Sequence, residues 1–95
     1  MIQEDKMFRL WAREIKDNKT VRDLTVSDDR QDTRTHKIYS ALETVGREFD
    51  LAVPIWLNKN INEFKRISKT RFDRDNFVEE IYFDYLEIQV IEEDF

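Results

Sequence analysis

From residue 7 to residue 27 apolar and polar positions alternate on either side of a polar break. Phe8, Leu10 and Ala12 precede the break, and Leu24 and Val26 follow it. A repeat of two places alternate side chains on one face of a strand, so the segment predicts a hairpin over 7–27. Charge proposes its register. If paired residue numbers sum to 36, Arg13 faces Asp23, Glu14 faces Arg22, Ala12 faces Leu24 and Leu10 faces Val26. Opposite charges directly across a strand pair contribute about 0.2–1 kcal/mol each. A slip of one residue sets Glu14 against Asp23 and moves every apolar side chain to the wrong face. The same register pairs Ile15 with Val21 and centres the connection on Asp17-Asn18-Lys19, where Asn tolerates the left-handed conformation of tight loops. One face then carries Phe8, Leu10, Ala12, Leu24 and Val26 toward a core. The other presents Met7, Trp11 and Ile15 among Arg9 and Arg13.

The period then lengthens. Ile38, Ala41, Leu42, Val45 and Phe49 recur at helical spacing and predict a helix over 32–49, capped by Asp32 or Thr33. Gly46 lies inside it at a cost of about 1 kcal/mol relative to Ala, which suggests that another element packs close. Leu51 to Leu57 is apolar and extended around Pro54, a residue confined to strand edges and connections. A short helix follows over 60–68, with Asn58 or Asn60 as cap and Ile61, Phe64 and Ile67 on one side. Lys69 to Phe72 reads as extended and Asp73 to Asn76 as a turn. Residues 85–92 alternate again as a closing strand beside the hairpin, with Leu86, Ile88 and Val90 on one face and Glu87, Gln89 and Ile91 on the other. The prediction is a single α+β domain. An antiparallel sheet of three or four strands is packed on one face by one main helix and a shorter second one.

Composition narrows what such a domain can do. The 95 residues contain no Cys, one His, one Gly and one Pro, beside seven Phe, three Tyr and two Trp. Without cysteine there is no disulfide framework and no thiolate chemistry, and a cytoplasmic location is expected. No apolar run approaches the roughly 20 residues that span a bilayer, so no membrane partner is expected. One glycine excludes phosphate-binding and nucleophile-elbow motifs that need two or more. The lone His36 has no Ser, Cys or second His placed around it in sequence, and it reads as a solvated side chain. The run from Asp73 to Asp84 imitates a calcium loop at its start. It then puts Phe77 and Val78 where an oxygen ligand and a glycine are required. A carboxylate metal site drawn from Asp73, Asp75, Glu79 and Glu80 is the one enzymatic option that remains. No catalytic residue, metal ligand, cofactor or small-molecule substrate emerges from the sequence.

The net charge of −5 conceals a segregation: residues 58–72 carry +4 and residues 73–95 carry −8. Neighbouring segments of opposite sign can neutralise each other in the fold, or either can meet a partner. A nucleic-acid surface would use Lys59, Lys65, Arg66, Lys69, Arg71 and Arg74, with the following acidic segment opposing a long polyanion. A protein interface would use Met7, Arg9, Trp11, Arg13 and Ile15 of the hairpin together with Ile55 and Trp56, since Trp and Arg are favoured interface anchors. That reading holds only if no helix covers the second hairpin face. The expectation is a non-catalytic interaction module or adaptor, self-associating or bound to another protein, ahead of a nucleic-acid-associated regulator and a small carboxylate enzyme.

Overall fold

A computed structural model describes residues 7–93. The chain runs β1 (Phe8–Lys16), β2 (Lys19–Asp28), α1 (Arg34–Phe49), α2 (Asn58–Ile67), β3 (Lys69–Phe72), a single 3-10 turn (Arg74–Asn76) and β4 (Tyr85–Glu92). The four strands form one antiparallel sheet in the order β2-β1-β4-β3. The architecture is the predicted α+β one, with the first and last long strands paired at its centre.

The hairpin register is the charge-derived one from Phe8↔Asp28 to Glu14↔Arg22. It changes at the turn end, where Ile15 pairs with Thr20 and Lys16 with Lys19. The connection is thus two residues, Asp17 and Asn18, with φ of 53° and 64°, not three. A two-residue hairpin loop that follows the sheet's twist needs positive φ at both positions. Charge and core pairing demand one register and the tight turn another. Val21 is the odd residue, absorbed as a β-bulge.

Helix α1 starts two residues later than predicted. Thr33 is its N-cap, its side chain accepting from the His36 amide. Its apolar stripe is buried as the spacing demands. Gly46 is there for the reason anticipated: a Cβ on it would stand 2.7 Å from the Leu51 carbonyl oxygen, where the chain doubles back. Helix α2 starts at Asn58 rather than 60, and neither predicted asparagine is its cap. Leu57 occupies that position, and Asn60 Oδ1 reaches back to accept from the Leu57 amide at 3.2 Å. Of its three predicted packing residues only Phe64 is buried. Ile61 and Ile67 are 37% and 47% exposed, because so short a helix meets the core along a single line.

Both helices bury their apolar sides against the same sheet face. Phe8, Leu10, Ala12, Phe72, Leu86 and Ile88 from the strands form one cluster with Leu42, Val45, Phe49 and Phe64 from the helices. Two wholly interior asparagines fasten the far edge. Asn76 Nδ2 donates to Ile55 O (2.8 Å) and Asn60 Oδ1 (2.7 Å), and Asn60 Nδ2 donates to Thr70 Oγ1 (2.9 Å) and Arg71 O (2.8 Å). Buried amides are tolerated when their hydrogen bonds are satisfied. These tie the 51–57 connection, α2, β3 and the 3-10 turn into one unit and so fix where Lys69 and Arg71 point.

Candidate interaction surface

With both helices on one face, the other face of the sheet has no helix on it among the described residues. Alternation along the strands puts Arg9, Trp11 and Arg13 (β1), Asp23, Thr25 and Ser27 (β2), Lys69 and Arg71 (β3), and Tyr85, Glu87 and Gln89 (β4) on that side. Its centre is Glu87, only 3% exposed although no helix among the described residues lies over it. The cover consists of cations on neighbouring strands. Arg13 Nη2 donates to Oε2, Arg71 Nε donates to Oε1 at 3.1 Å, and Lys69 Nζ lies 3.8 Å from Oε1. Burial pushes the Glu87 carboxyl up; the hydrogen bonds from Arg71 and Arg13 and the charges of Lys69 and Arg13 outweigh it, so its pKa lies below the ordinary value. The hydrogen bond to Glu87 in turn holds the Arg71 guanidinium above its usual range.

Each arginine also stacks on an aromatic ring. The Arg13 guanidinium carbon is 4.2 Å from the Trp11 ring centre, and that of Arg71 is 4.5 Å from the Tyr85 ring centre. Cation–π pairs contribute about 0.5–1 kcal/mol at exposed sites. Trp11 Nε1 is fixed as well, donating to Asp23 Oδ2 at 2.8 Å. At the rim Arg9 donates to Glu92 (3.2 Å) and Ser27 (3.3 Å). The result is a row of oriented guanidinium and aromatic groups rather than loose surface side chains.

Arg9, Trp11 and Arg13, predicted as interface residues, belong to this surface, and Met7, predicted with them, directly precedes β1. Two others do not belong to it. Ile15 is 6% exposed: the bulge shifts its pairing, and the chain entering β4 closes over the strand end, with Asp84 N donating to the Ile15 carbonyl at 2.8 Å. Trp56 lies on the helix side, its ring edge-on to Tyr39, Phe64 and Phe72 and packed against the core. Ile55 is half-exposed in the adjoining connection. The sequence reading missed Glu87, Tyr85 and Gln89 as members. Glu87 was legible as outward-facing, but nothing local shows that three cations from the two flanking strands converge on it.

The basic set proposed for nucleic acid is divided between opposite sides of the molecule. Lys69 and Arg71 are on the open sheet face, held by Glu87. Lys59, Lys65 and Arg66 are on α2, with Lys59 paired to Asp73 at 3.3 Å, and Arg74 lies in the 3-10 turn. Asp73 caps that turn, accepting from the Asp75 amide at 3.0 Å. Among the described residues no three of His, Cys, Asp and Glu are grouped to hold a metal ion, and no helix is long and apolar enough to cross a membrane.

The fold and this surface define a small α+β domain with an open-faced antiparallel sheet. No protein-family model, curated protein or solved structure gives a significant match to the chain.

Proposed function

We propose that the domain is a non-catalytic protein-interaction module, a cytoplasmic adaptor whose partner, a second copy or another chain, docks on the open sheet face. The observation that carries this reading is the buried Glu87 holding Arg13 and Arg71 while each stacks on its own ring, Trp11 or Tyr85. Trp, Tyr and Arg dominate interface energetics. Ordering a long side chain on binding costs about 0.5–1.5 kcal/mol, and here two arginines are ordered beforehand. From strand spacing and length the platform measures roughly 15 by 25 Å. That is well under the roughly 800 Å² per partner of a standard interface, so contact confined to this face is transient and of micromolar strength.

A second reading, a nucleic-acid-associated regulator, draws on Trp11 and Tyr85 standing on the two central strands beside arginines. Aromatic residues on a sheet face stack unpaired bases in this way. The rings already carry the protein's own guanidinium groups, and those are committed to Glu87, which favours the first reading.

Two experiments test the proposal. Sedimentation velocity over a wide concentration range reads self-association, and a dimer abolished by Trp11→Ala supports it. A photo-crosslinking residue at Thr25 or Gln89, compared with one at Glu48 on the exposed side of α1, reads a second protein in cells. A strict monomer with no adduct specific to the open face overturns the proposal. A labelled oligothymidylate whose anisotropy rises at low salt and falls on Arg71→Ala supports the second reading instead.

A further inference from the structure

On the opposite side of the molecule the seam between α1 and α2 forms a groove of about 180 Å³. The buried Phe64 and the partly buried Trp56 lie deepest in it, and the exposed Tyr39 and Ile61 flank it. Its charged members are Arg34 and Lys65, and no acidic residue among the described ones lines it. Size decides what kind of occupant fits. Pockets that enclose free small molecules measure about 300–1,000 Å³. This one has room for about one large side chain and is open along the seam.

Charge decides the rest. Arg34 donates to Glu93 and to Ser68 Oγ (2.9 Å) and stacks over Phe64. Among the described residues, the side chains of Lys65 and its neighbour Arg66 have no hydrogen bond or ion pair. One more group lacks a partner: Trp56 Nε1 is the buried side-chain polar atom without a hydrogen bond among the described residues. Leaving such a donor unsatisfied costs about 1–3 kcal/mol.

We propose that this groove docks a segment of a partner protein in which one large apolar side chain is flanked by acidic residues. The apolar group anchors between Tyr39 and Ile61 over Trp56, and the acids meet Lys65, Arg66 and the outer edge of Arg34. This site is independent of the sheet face, so either reading can fail alone.

The test is a ¹⁵N-correlated NMR titration of the full chain with the peptide acetyl-Glu-Glu-Phe-Glu-Glu-amide. The two tryptophans give two indole N–H signals, assigned with Trp11→Phe. The expected result is a movement of the Trp56 indole signal with the Trp11 signal unmoved, at a Kd of about 0.1–1 mM. Lys65→Glu, or Ala for Phe in the peptide, weakens binding about tenfold, and Ile61→Glu abolishes it. Both protein changes are at exposed positions, and an otherwise unchanged amide spectrum verifies the fold. The proposal is overturned by the absence of any shift at about 5 mM peptide. It is equally overturned by shifts centred on Trp11 and Gln89, by undiminished binding of a Lys-for-Glu peptide, or by 3-phenylpropionate binding as tightly as the peptide, which would make the groove a small-acid pocket.

Discussion

Glu14 on β1 and Arg22 on β2 face each other across the first strand pair, and the carboxylate accepts from Arg22 Nε at 2.8 Å and Nη2 at 3.1 Å. The pair is on the helix side of the sheet, where Glu14 is wholly buried. Tyr82 OH also donates to Glu14, which raises the Tyr82 pKa. Arg22 Nη2 reaches the Phe49 carbonyl at 2.7 Å, and its guanidinium lies 4.4 Å from that ring's centre. One ion pair thus links β1, β2, the end of α1 and the approach to β4. Removing one partner of a buried pair costs about 3–5 kcal/mol. Arg22 is 39% exposed, so water offsets part of the loss, and Arg22→Ala is expected to cost about 2–3 kcal/mol. The urea midpoint measures it. The double change Glu14→Leu with Arg22→Leu, which leaves no orphaned charge, should cost less than the single one.

The two-residue turn offers a test in the opposite direction. Asp17 and Asn18 both hold positive φ, which L-residues adopt at a cost that glycine avoids. Asn18→Gly is therefore expected to stabilise the domain by about 0.5 kcal/mol, with Tm rising by about 2–4 °C. Lys19→Gly, one position beyond the turn, should instead destabilise β2. A three-residue loop centred on Asn18 would place Lys19 in the loop, where Lys19→Gly would cost little, and calorimetry distinguishes the two.

Much of this fold was readable because local signals agreed. The Glu14/Arg22 and Arg13/Asp23 pairs fix a register that hydrophobic alternation also demands, and the 38–49 stripe admits one helix. Helix α2 was harder to delimit because its start is fixed by a return hydrogen bond from Asn60, itself held by Thr70, Arg71 and Asn76 across the fold. No window of sequence contains that network. Ile15 was misplaced because the bulge that buries it arises from two incompatible registers, a conflict invisible when one register is assumed throughout. The position of Trp56 on the helix side was hidden for a similar reason: its neighbours Tyr39, Phe64 and Phe72 come from three separate elements.

Gly46 separates propensity from packing. In an open helix Gly→Ala gains about 1 kcal/mol. Here the added Cβ would lie 2.7 Å from Leu51 O, a backbone atom on the segment whose amide donates to Gly46 O at 2.8 Å. Neither side can move without breaking that contact. Overpacking of this kind costs about 1–3 kcal/mol, so Gly46→Ala is expected to lower Tm by about 5–10 °C. An unchanged or higher Tm would mean that the connection after α1 is not held where described.

Glu87 joins stability to the proposed recognition surface, and acid titration reads the first. In the folded protein its pKa lies below the ordinary carboxylate range. A depressed carboxylate contributes stability that is fully present above its unfolded-state pKa and is lost as pH falls through the folded one. Asp28, held by Arg30, and Asp32, held by His36, are lowered in the same direction, so total acid sensitivity does not isolate Glu87. The difference between the wild type and Glu87→Gln does. At neutral pH the variant is expected to be less stable by about 1–2 kcal/mol, below the figure for a fully buried pair because the three cations can rehydrate. That gap should stay constant down to about pH 5 and close progressively below it. The same substitution frees Arg13 and Arg71 without removing them. If their prior ordering supports docking, Glu87→Gln weakens partner or self-association about threefold to tenfold while Trp11 and both arginines remain in place. Unaltered affinity in the variant would show that the partner orders these side chains itself and that the buried carboxylate serves only the sheet.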